Sequence, residues 1–553
     1  MRTRRLVRSL RHLVWAAYGV LATLVGIGLA HAVAAFGDPA TSPVLAVGSA
    51  VIDRTPTPMK EWAIRTFGSA DKVVLVGSVM LGVLVLSALA GLLARRRPWL
   101  GAAGLLVLVA LAAGAVLERP EVGALDLLPS LVAAITGPLT LLVLARLHRA
   151  ATNPSIATTA TAPTTDPSAT DPSATDTSTD PSTTDTTSTK TPTSTSTSTS
   201  ASRRHLLLGV GVATALAAVG GVTGRIVGRL RLRPEDVTLP AATDRAPTLP
   251  RGLDDQVDGI TPFRTPNGDF YRVDTRLDVP ILSADDWTLR IDGDVEREVT
   301  LTFDDLLEMD LVERDITLTC VSNSVGGPYV GGARWLGVRL VDVLALAGIA
   351  NTKADQILST DVDGMTISTP LEPATDGRDA LIVVGMNGRA LPREHGFPVR
   401  MVIPGLYGFV SATKWLRRLT LTTYAEREAY WTKRGWAKDA PIKTSARIDT
   451  PRALAKLDAG DVVVGGVAWA QARGGVTGVQ VRIDGGEWFA AQLGPEANDS
   501  YWRQWFVRWP AEPGSHRIAV RALAGDGSEQ SGERAEPYPS GSSGLHELLV
   551  TVG

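Results

Sequence analysis

The chain has 553 residues, too many for one core, so several domains or segments are expected. Its 57 acidic side chains nearly balance 55 basic ones, for a formal net charge of -2. No concentrated basic face or long run of like charge stands out, which excludes a nucleic-acid partner of the usual kind. A single cysteine, Cys320, excludes any intrachain disulfide.

In chain order, the long apolar runs crowd into residues 1–230. Five are long enough to cross a hydrocarbon core, which takes about 20 helical residues. They extend from Leu13 to Phe36, Val73 to Ala94, Leu100 to Leu117, Leu127 to Ala145 and Leu206 to Gly224. A buried soluble helix is seldom apolar on all sides for so long, and five in succession read as a membrane region. Arg2, Arg4, Arg5, Arg8 and Arg11 precede the first run, and Arg95, Arg96 and Arg97 separate the second from the third. Arg146 and Arg149 follow the fourth, and Arg203 and Arg204 precede the fifth. Basic clusters stay on the cytoplasmic side. With all four clusters inside, the spans alternate without conflict and everything after Gly224 emerges on the outer side. The outer loops carry Arg54, Lys60 and Arg65, offset by Asp53, Glu61 and Asp71. The expectation is a multi-pass protein of the cell membrane whose first four spans fill residues 1–149. His12, His31 and His148 lie near helix ends, which argues against a bis-histidine heme in this region.

Residues 150–202 are almost wholly Thr, Ser, Pro, Asp and Ala, as in TDPSATDPSATDTSTDPSTTD, with almost nothing to bury. Such a segment reads as a disordered spacer with a coil dimension of about 40 Å. The fifth span, within 203–230, opens with Ser202-Arg203-Arg204-His205-Leu206-Leu207. This resembles a twin-arginine export signal, although two arginines before an apolar run also satisfy positive-inside topology. Ala215-Leu216-Ala217 resembles a signal-cleavage site, so the residues fit both a permanent anchor and a cleaved signal.

After Arg251 the pattern changes to short alternating strands, turns and brief helices. WTLRIDGDV (Trp287 to Val295) alternates at period two and turns at Asp292-Gly293. TFDDLLEM (Thr302 to Met309) and RLVDVLALAG (Arg339 to Gly348) read as amphipathic helices, and FPVRMVIPG (Phe397 to Gly405) as a buried strand. Together they predict an α+β domain over 251–440. From 441 to 553, GDVVVGGVAWA, VTGVQVRIDGGEWFAAQL, YWRQWFVRWP and GSHRIAVRALAGDGSEQ predict six or seven strands of an all-β immunoglobulin-like sandwich. Trp469, Trp488, Trp502, Trp505 and Trp509 are expected in its core and interfaces rather than as a carbohydrate platform.

Two blocks carry the chemistry. LTCVSNSVGGPYVGGARWLGVRLVDVLALAGI (Leu318 to Ile349) ends a strand on Cys320 and continues through a polar, glycine-rich loop. DALIVVGMNGRALPREHGFPVRMVIPGLYGFVSATKWLRRLTL (Asp379 to Leu421) gathers His395, Arg400, Ser411, Thr413 and Lys414. The first resembles the molybdenum-ligand segment of the sulfite oxidase family, and the second that family's pterin-binding stretch. The resemblance covers 251–553, including the C-terminal sandwich, which is similar to the family's dimerisation domain. It implies a molybdenum-molybdopterin cofactor with Cys320 as the protein's metal ligand and catalytic residue. A soft thiolate suits such a metal, and coordination removes its proton. It also implies pterin or phosphate contacts from His395, Arg400 and Lys414, with Ser411 and Thr413 flanking the last. The leading segment PNGDFYRVDTRLDVP (Pro266 to Pro280) places Tyr271, Arg272 and Asn267 at or beside pterin-contacting positions.

Where sulfite oxidases proper carry an Arg-Asn-His triplet, this chain has Val273-Asp274-Thr275, and Ser324 stands where many relatives have an acidic residue. The resemblance therefore implies oxygen-atom transfer with a small oxo donor or acceptor, in either direction, and an electron-transfer partner that the sequence does not identify. A homodimer through the C-terminal domain is also implied. Two alternatives stand beside this reading. One is a sulfoxide-type reductase with the same cofactor, and the other is a non-catalytic surface protein presenting an immunoglobulin-like module.

Overall fold

The computed structural model of the chain describes residues 2–56, 59, 62–63, 66–67, 71–119, 122–152, 197–230 and 237–553. The spacer from 153 to 196 lies outside the described residues. The chain divides into two compact units, one of Met1–Val33, Gly77–Ala112 and Leu128–Gly224, the other of Ala34–Val76, Ala113–Leu127 and Arg225–Gly553.

The N-terminal helices are α1 (Arg2–Phe36), α2 (Pro43–Arg54), α3 (Asp71–Arg96), α4 (Pro98–Leu117), α5 (Leu128–Thr152) and α6 (Thr197–Leu230). Among the described residues, five stretches are long and apolar enough to cross a membrane: His12–Phe36, Lys72–Arg96, Pro98–Leu117, Ala124–Thr152 and Arg203–Gly224. They coincide with the five apolar runs of the sequence. Helix α2 is an addition to the expected elements. Pro43 at its first position brings a helix-compatible φ where no amide donor is needed.

Apolar helices in lipid gain little by hiding from water, so small residues set their crossings. In the first unit Gly91 of α3 sits against the Trp15 carbonyl of α1, where no Cβ fits. A Cβ on Gly220 of α6 would stand 2.5 Å from the Gly28 carbonyl carbon of α1. Trp15, Tyr18, Ala22, Ala90, Leu141 and Leu144 fill the bundle core.

In the second unit the strands up to residue 440 are β1 (Thr288–Gly293), β2 (Val299–Thr302), β3 (Leu311–Thr319), β4 (Val330–Arg339) and β5 (Gln356–Asp361). They continue with β6 (Thr366–Pro370), β7 (Leu381–Met386), β8 (Arg389–Ala390), β9 (Arg400–Val402) and β10 (Leu416–Thr422). One sheet has the order β2-β1-β10-β5-β6, and the other β3-β4-β7-β8 with β9 paired to β7. Between strands lie α7 (Phe303–Glu308), α8 (Leu340–Ala347), α9 (Leu371–Thr375) and α10 (Gly408–Ser411). Thr302 and Asp305 form a reciprocal capping box on α7, and Gly348 ends α8 at φ +72. The strand expected over Phe397 to Gly405 is ladder-bonded only over Arg400–Val402. Pro398 and Pro404 flank it and have no amide to donate.

The C-terminal region is all β: β11 (Ser445–Thr450), β12 (Lys456–Leu457), β13 (Gly460–Trp469), β14 (Val476–Ile483) and β15 (Phe489–Ala490). The remaining strands are β16 (Gln492–Leu493), β17 (Arg503–Ala511), β18 (Gly514–Ala524) and β19 (His546–Val552). Sheets β11-β13-β17-β16 and β12-β19-β18-β14-β15 share a core that includes Ile448, Val464, Trp505, Val520 and Val550. Three two-residue ladders, β12, β15 and β16, account for the strands beyond the expected number. Trp469, Trp502, Trp505 and Trp509 are buried, whereas Trp488 lies between the Arg482 and Arg521 guanidinium groups, each 4.6 Å from its ring centre.

Candidate active site

Strands β3 and β4 pair in antiparallel register from Leu311–Val338 to Thr319–Val330, and Cys320 is the first residue beyond the ladder. The loop from 320 to 329 is tied across its base. The Cys320 amide donates to the Tyr329 carbonyl at 3.0 Å, and the Asn323 amide to the Cys320 carbonyl at 3.0 Å. The Asn323 side-chain oxygen accepts from the Tyr329 amide at 2.8 Å.

The C-terminal sandwich holds the same loop from outside. The Ser542 hydroxyl donates to the Asn323 carbonyl at 2.6 Å, and Arg447 Nη1 donates to the Gly327 carbonyl at 3.0 Å. The His546 ring presses on Gly326, whose φ of +76 and crowded Cα face suit glycine alone. Cys320 is therefore buried and fixed in place. Burial pushes its thiol above the ordinary range, against the downward pull of hydrogen bonds from Ser322 and of the Lys414 charge.

The facing wall comes from the leading segment and from residues 395–415. His395 ends a single turn, Arg393–His395, and its Nε2 lies 2.8 Å from the Asn267 carbonyl. A carbonyl only accepts, so Nε2 carries the hydrogen. Burial lowers the His395 pKa to about 4, leaving the imidazole neutral. Arg400, at the start of β9, donates through Nη1 to the His395 carbonyl at 3.1 Å and lies 5.0 Å over the Trp335 ring. Arg400 is 5% exposed, and its Nε has no hydrogen-bond partner among the described residues. Burial pushes its pKa down to about 10. Tyr271 stacks on Phe270 at 5.2 Å, and burial together with nearby Cys320 raises its phenol pKa.

A charge cluster completes this wall. Asp274 accepts from Arg272 Nε at 2.7 Å, Lys414 Nζ at 2.7 Å, Lys72 Nζ at 2.8 Å and the Arg276 amide at 3.1 Å. Burial works against its charge, but Lys414, Lys72 and Arg272 outweigh it and hold the carboxyl well below the usual range. Burial lowers the Lys414 pKa to about 8, in spite of Asp274.

The structure thus brings Cys320, Tyr271, Arg272, His395, Arg400 and Lys414 into one constellation, and Asn267 enters it through its backbone carbonyl. The Asn267 side chain instead bonds Asn387 and the Met386 carbonyl. Ser411 donates to the Leu406 and Tyr407 carbonyls, both at 3.0 Å, and Thr413 pairs with Ser359 at 2.5 Å, so both hydroxyls are spent inside the fold.

Sequence reasoning missed several neighbours. Asp274 was visible only as a departure in the triplet. Tyr407, whose pKa is raised to about 12 mainly by burial and also by nearby Cys320, follows Pro404-Gly405-Leu406 without a distinguishing pattern. Arg447, Ser542 and His546 lie more than 100 positions from Cys320 and carry no local signal.

Residues 276–431 match the family described as the oxidoreductase molybdopterin binding domain. The chain carries a molybdopterin-binding oxidoreductase domain of the sulfite oxidase type. Among its relatives, the mitochondrial sulfite oxidase of Homo sapiens is 31% identical over 309 residues, 48% of this chain and 56% of that protein. The NADH nitrate reductase 1 of Oryza sativa subsp. japonica is 28% identical over 43% of this chain and 32% of its own length. This chain thus spans only about half, or less, of those curated relatives. A solved structure, the sulfane dehydrogenase SoxCD from Paracoccus pantotrophus, aligns over 53% of this chain and 84% of its own at 22% identity and a TM-score of 0.47.

The cofactor of this molybdopterin domain is molybdenum-molybdopterin, and the residues present fit it. Arg400 offers a buried, unpartnered guanidinium nitrogen, which an anionic or carbonyl-rich ligand would satisfy. Lys414 and Arg272 add positive charge beside it. Cys320 supplies one soft sulfur, and no cluster of three or more His, Cys, Asp or Glu able to hold a metal occurs among the described residues. A lone thiolate suits a metal whose other ligands come with the cofactor. A purely non-catalytic module would leave residues 276–431 without an account.

Proposed function

We propose that this chain is a membrane-anchored, extracytoplasmic molybdenum enzyme of oxygen-atom transfer, with Cys320 as the protein's ligand to the metal. The observation that carries the reading is the buried Cys320, held in a doubly clamped loop within reach of the Lys414 charge, together with the buried Arg400, whose Nε has no hydrogen-bond partner among the described residues. When bound, the cofactor supplies two-electron exchange of an oxygen atom with a small substrate. The protein's part is to bind and orient. Cys320 fixes the metal end, while Arg400, Lys414 and Arg272 attract the phosphate-bearing end. Neutral His395, with its hydrogen committed to Asn267, leaves Nδ1 to accept from a donor edge of the pterin. Burial of this wall keeps water from competing for those contacts.

The outward placement of the domain rests on the basic clusters. The fifth span is read as a permanent anchor, because Ala217 and Gly220 lie within α6 and against Gly28 of α1. As for direction, Val273-Asp274-Thr275 brings no arginine to the place where sulfite oxidases proper hold an anion. This favours a sulfoxide-type reductase as the second reading.

Full-length protein purified from its membrane should contain molybdenum and pterin in near-equal amounts. Dye-linked oxidation of sulfite and reduction of methionine sulfoxide, assayed side by side, separate the two directions. Cys320→Ser should keep the fold and lose activity per bound molybdenum, since a harder oxygen ligand alters the metal. A Cys320→Ser protein as active per molybdenum as wild type would overturn the ligand assignment.

A further inference from the structure

Two of the segments that connect the membrane spans, Ala34–Val76 and Ala113–Leu127, belong to the same compact unit as the molybdopterin domain. They touch it at several points. Arg119 donates to Asp38 at 2.6 Å and to Asp363 at 2.8 Å. The Tyr430 hydroxyl donates to Asp53 at 3.3 Å. A Cβ on Gly48 of α2 would lie 2.6 Å from Leu277, so glycine allows the close approach. The last point is Lys72 at the start of α3, whose ammonium reaches Asp274 at 2.8 Å.

Lys72 arrives where Asp274 already holds Arg272 and Lys414. One carboxylate then faces three cations, and the side chains of Asp274 and Lys414 are only 6% and 11% exposed. The Lys72 and Arg272 side chains are 28% and 30% exposed, so water screens part of this charge, and an anion bound beside the cluster would share its cations with Asp274. Lys414 would stand at the junction, held by Asp274 and drawn by an anion bound beside it. A carboxylate that is less engaged elsewhere would draw Lys414 more strongly to itself.

We propose that Lys72, the first residue of the second span, is a positioning residue of the cofactor site. By sharing Asp274 it frees Lys414 and Arg272 for a phosphate-bearing cofactor. The short segment that carries Lys72 is thereby part of the cofactor site. This rests on the molybdopterin reading above and adds a residue outside the matched domain.

The test compares full-length wild type with Lys72→Ala, Lys72→Arg and, as control, Arg54→Ala. Arg54 pairs with Glu118 between the connecting segments, with both side chains more than half exposed. The readouts are molybdenum and pterin per chain, the rate of molybdenum loss on dialysis, and the melting temperature. Lys72→Ala should lose molybdenum faster by on the order of ten-fold, the weight of one charge-assisted contact. Lys72→Arg and Arg54→Ala should match wild type. A Lys72→Ala protein with a lower melting temperature but wild-type retention would make Lys72 a fastener only and overturn the proposal. A wild-type chain devoid of molybdenum would instead overturn the functional reading, and this one with it.

Discussion

Replacing Gly326 by alanine tests whether the C-terminal sandwich shapes the loop that carries Cys320. Two costs are separable. Gly326 sits at φ +76, and a left-handed conformation costs an ordinary L-residue about 1–2 kcal/mol. The new methyl group would also collide with the His546 ring. To give way, His546 must release the Ile448 amide, which its Nδ1 accepts at 3.0 Å. A buried donor left without a partner costs about 1–3 kcal/mol. Gly326→Ala should therefore destabilise by about 2–5 kcal/mol in all, the two ranges added. In a His546→Ala background the ring is gone, so the same change should cost only its conformational part, about 1–2 kcal/mol. The difference is the coupling energy of a double-mutant cycle. Urea titration of the four full-length proteins, followed by tryptophan fluorescence, measures it, and molybdenum content shows whether the loop still accepts its ligand. An equal cost of Gly326→Ala with and without His546 would refute the reasoning.

Arg400→Ala should lower cofactor content, because a buried anionic partner loses a charge-assisted contact typically worth about 1.5–3 kcal/mol, while activity per bound molybdenum holds. Metal analysis beside turnover checks both halves. Burial sets His546 at about 4, below its ordinary 6.5, so the unfolded chain takes up the proton first. Stability should fall as pH drops from about 6.5 to about 4, by at most roughly 3 kcal/mol from this group, and His546→Asn should show a shallower acid slope in melting experiments. Reporter fusions at Thr175 and after Gly553 should report opposite compartments, and a shared compartment would end the five-span topology. Changing Arg203 and Arg204 together to lysine keeps the charge but removes a twin-arginine signal; blocked outward transfer supports export by that route, and normal transfer reduces the pair to topology.

Much of this molecule was legible because its signals are local. The five apolar runs, the capping box at Thr302 and the helix stop at Gly348 each declare themselves within a few residues. Cys320 and His395 drew notice for a different reason, since they stand in long blocks whose order resembles a known family. Legibility ended where a role depends on contacts across the chain. Ser411 and Thr413 sit in the right block, yet the turn of α10 and the neighbouring Ser359 claim their hydroxyls. Asp274 looked like a missing arginine, and only its three cations reveal a hub. Helix α2 escaped notice because 12 residues between two longer apolar runs read as part of a loop.

The grip of Ser542, Arg447 and His546 on the loop from 323 to 327 also sets an order of assembly. During synthesis Cys320 leaves the ribosome more than 200 residues before His546, so the cysteine exists long before the surface that shapes its surroundings. The loop reaches its final form only after β19 has joined the sandwich. If Cys320 holds the metal as proposed, a lesion in the C-terminal region, remote from any reacting atom, would surface first as lowered metal content.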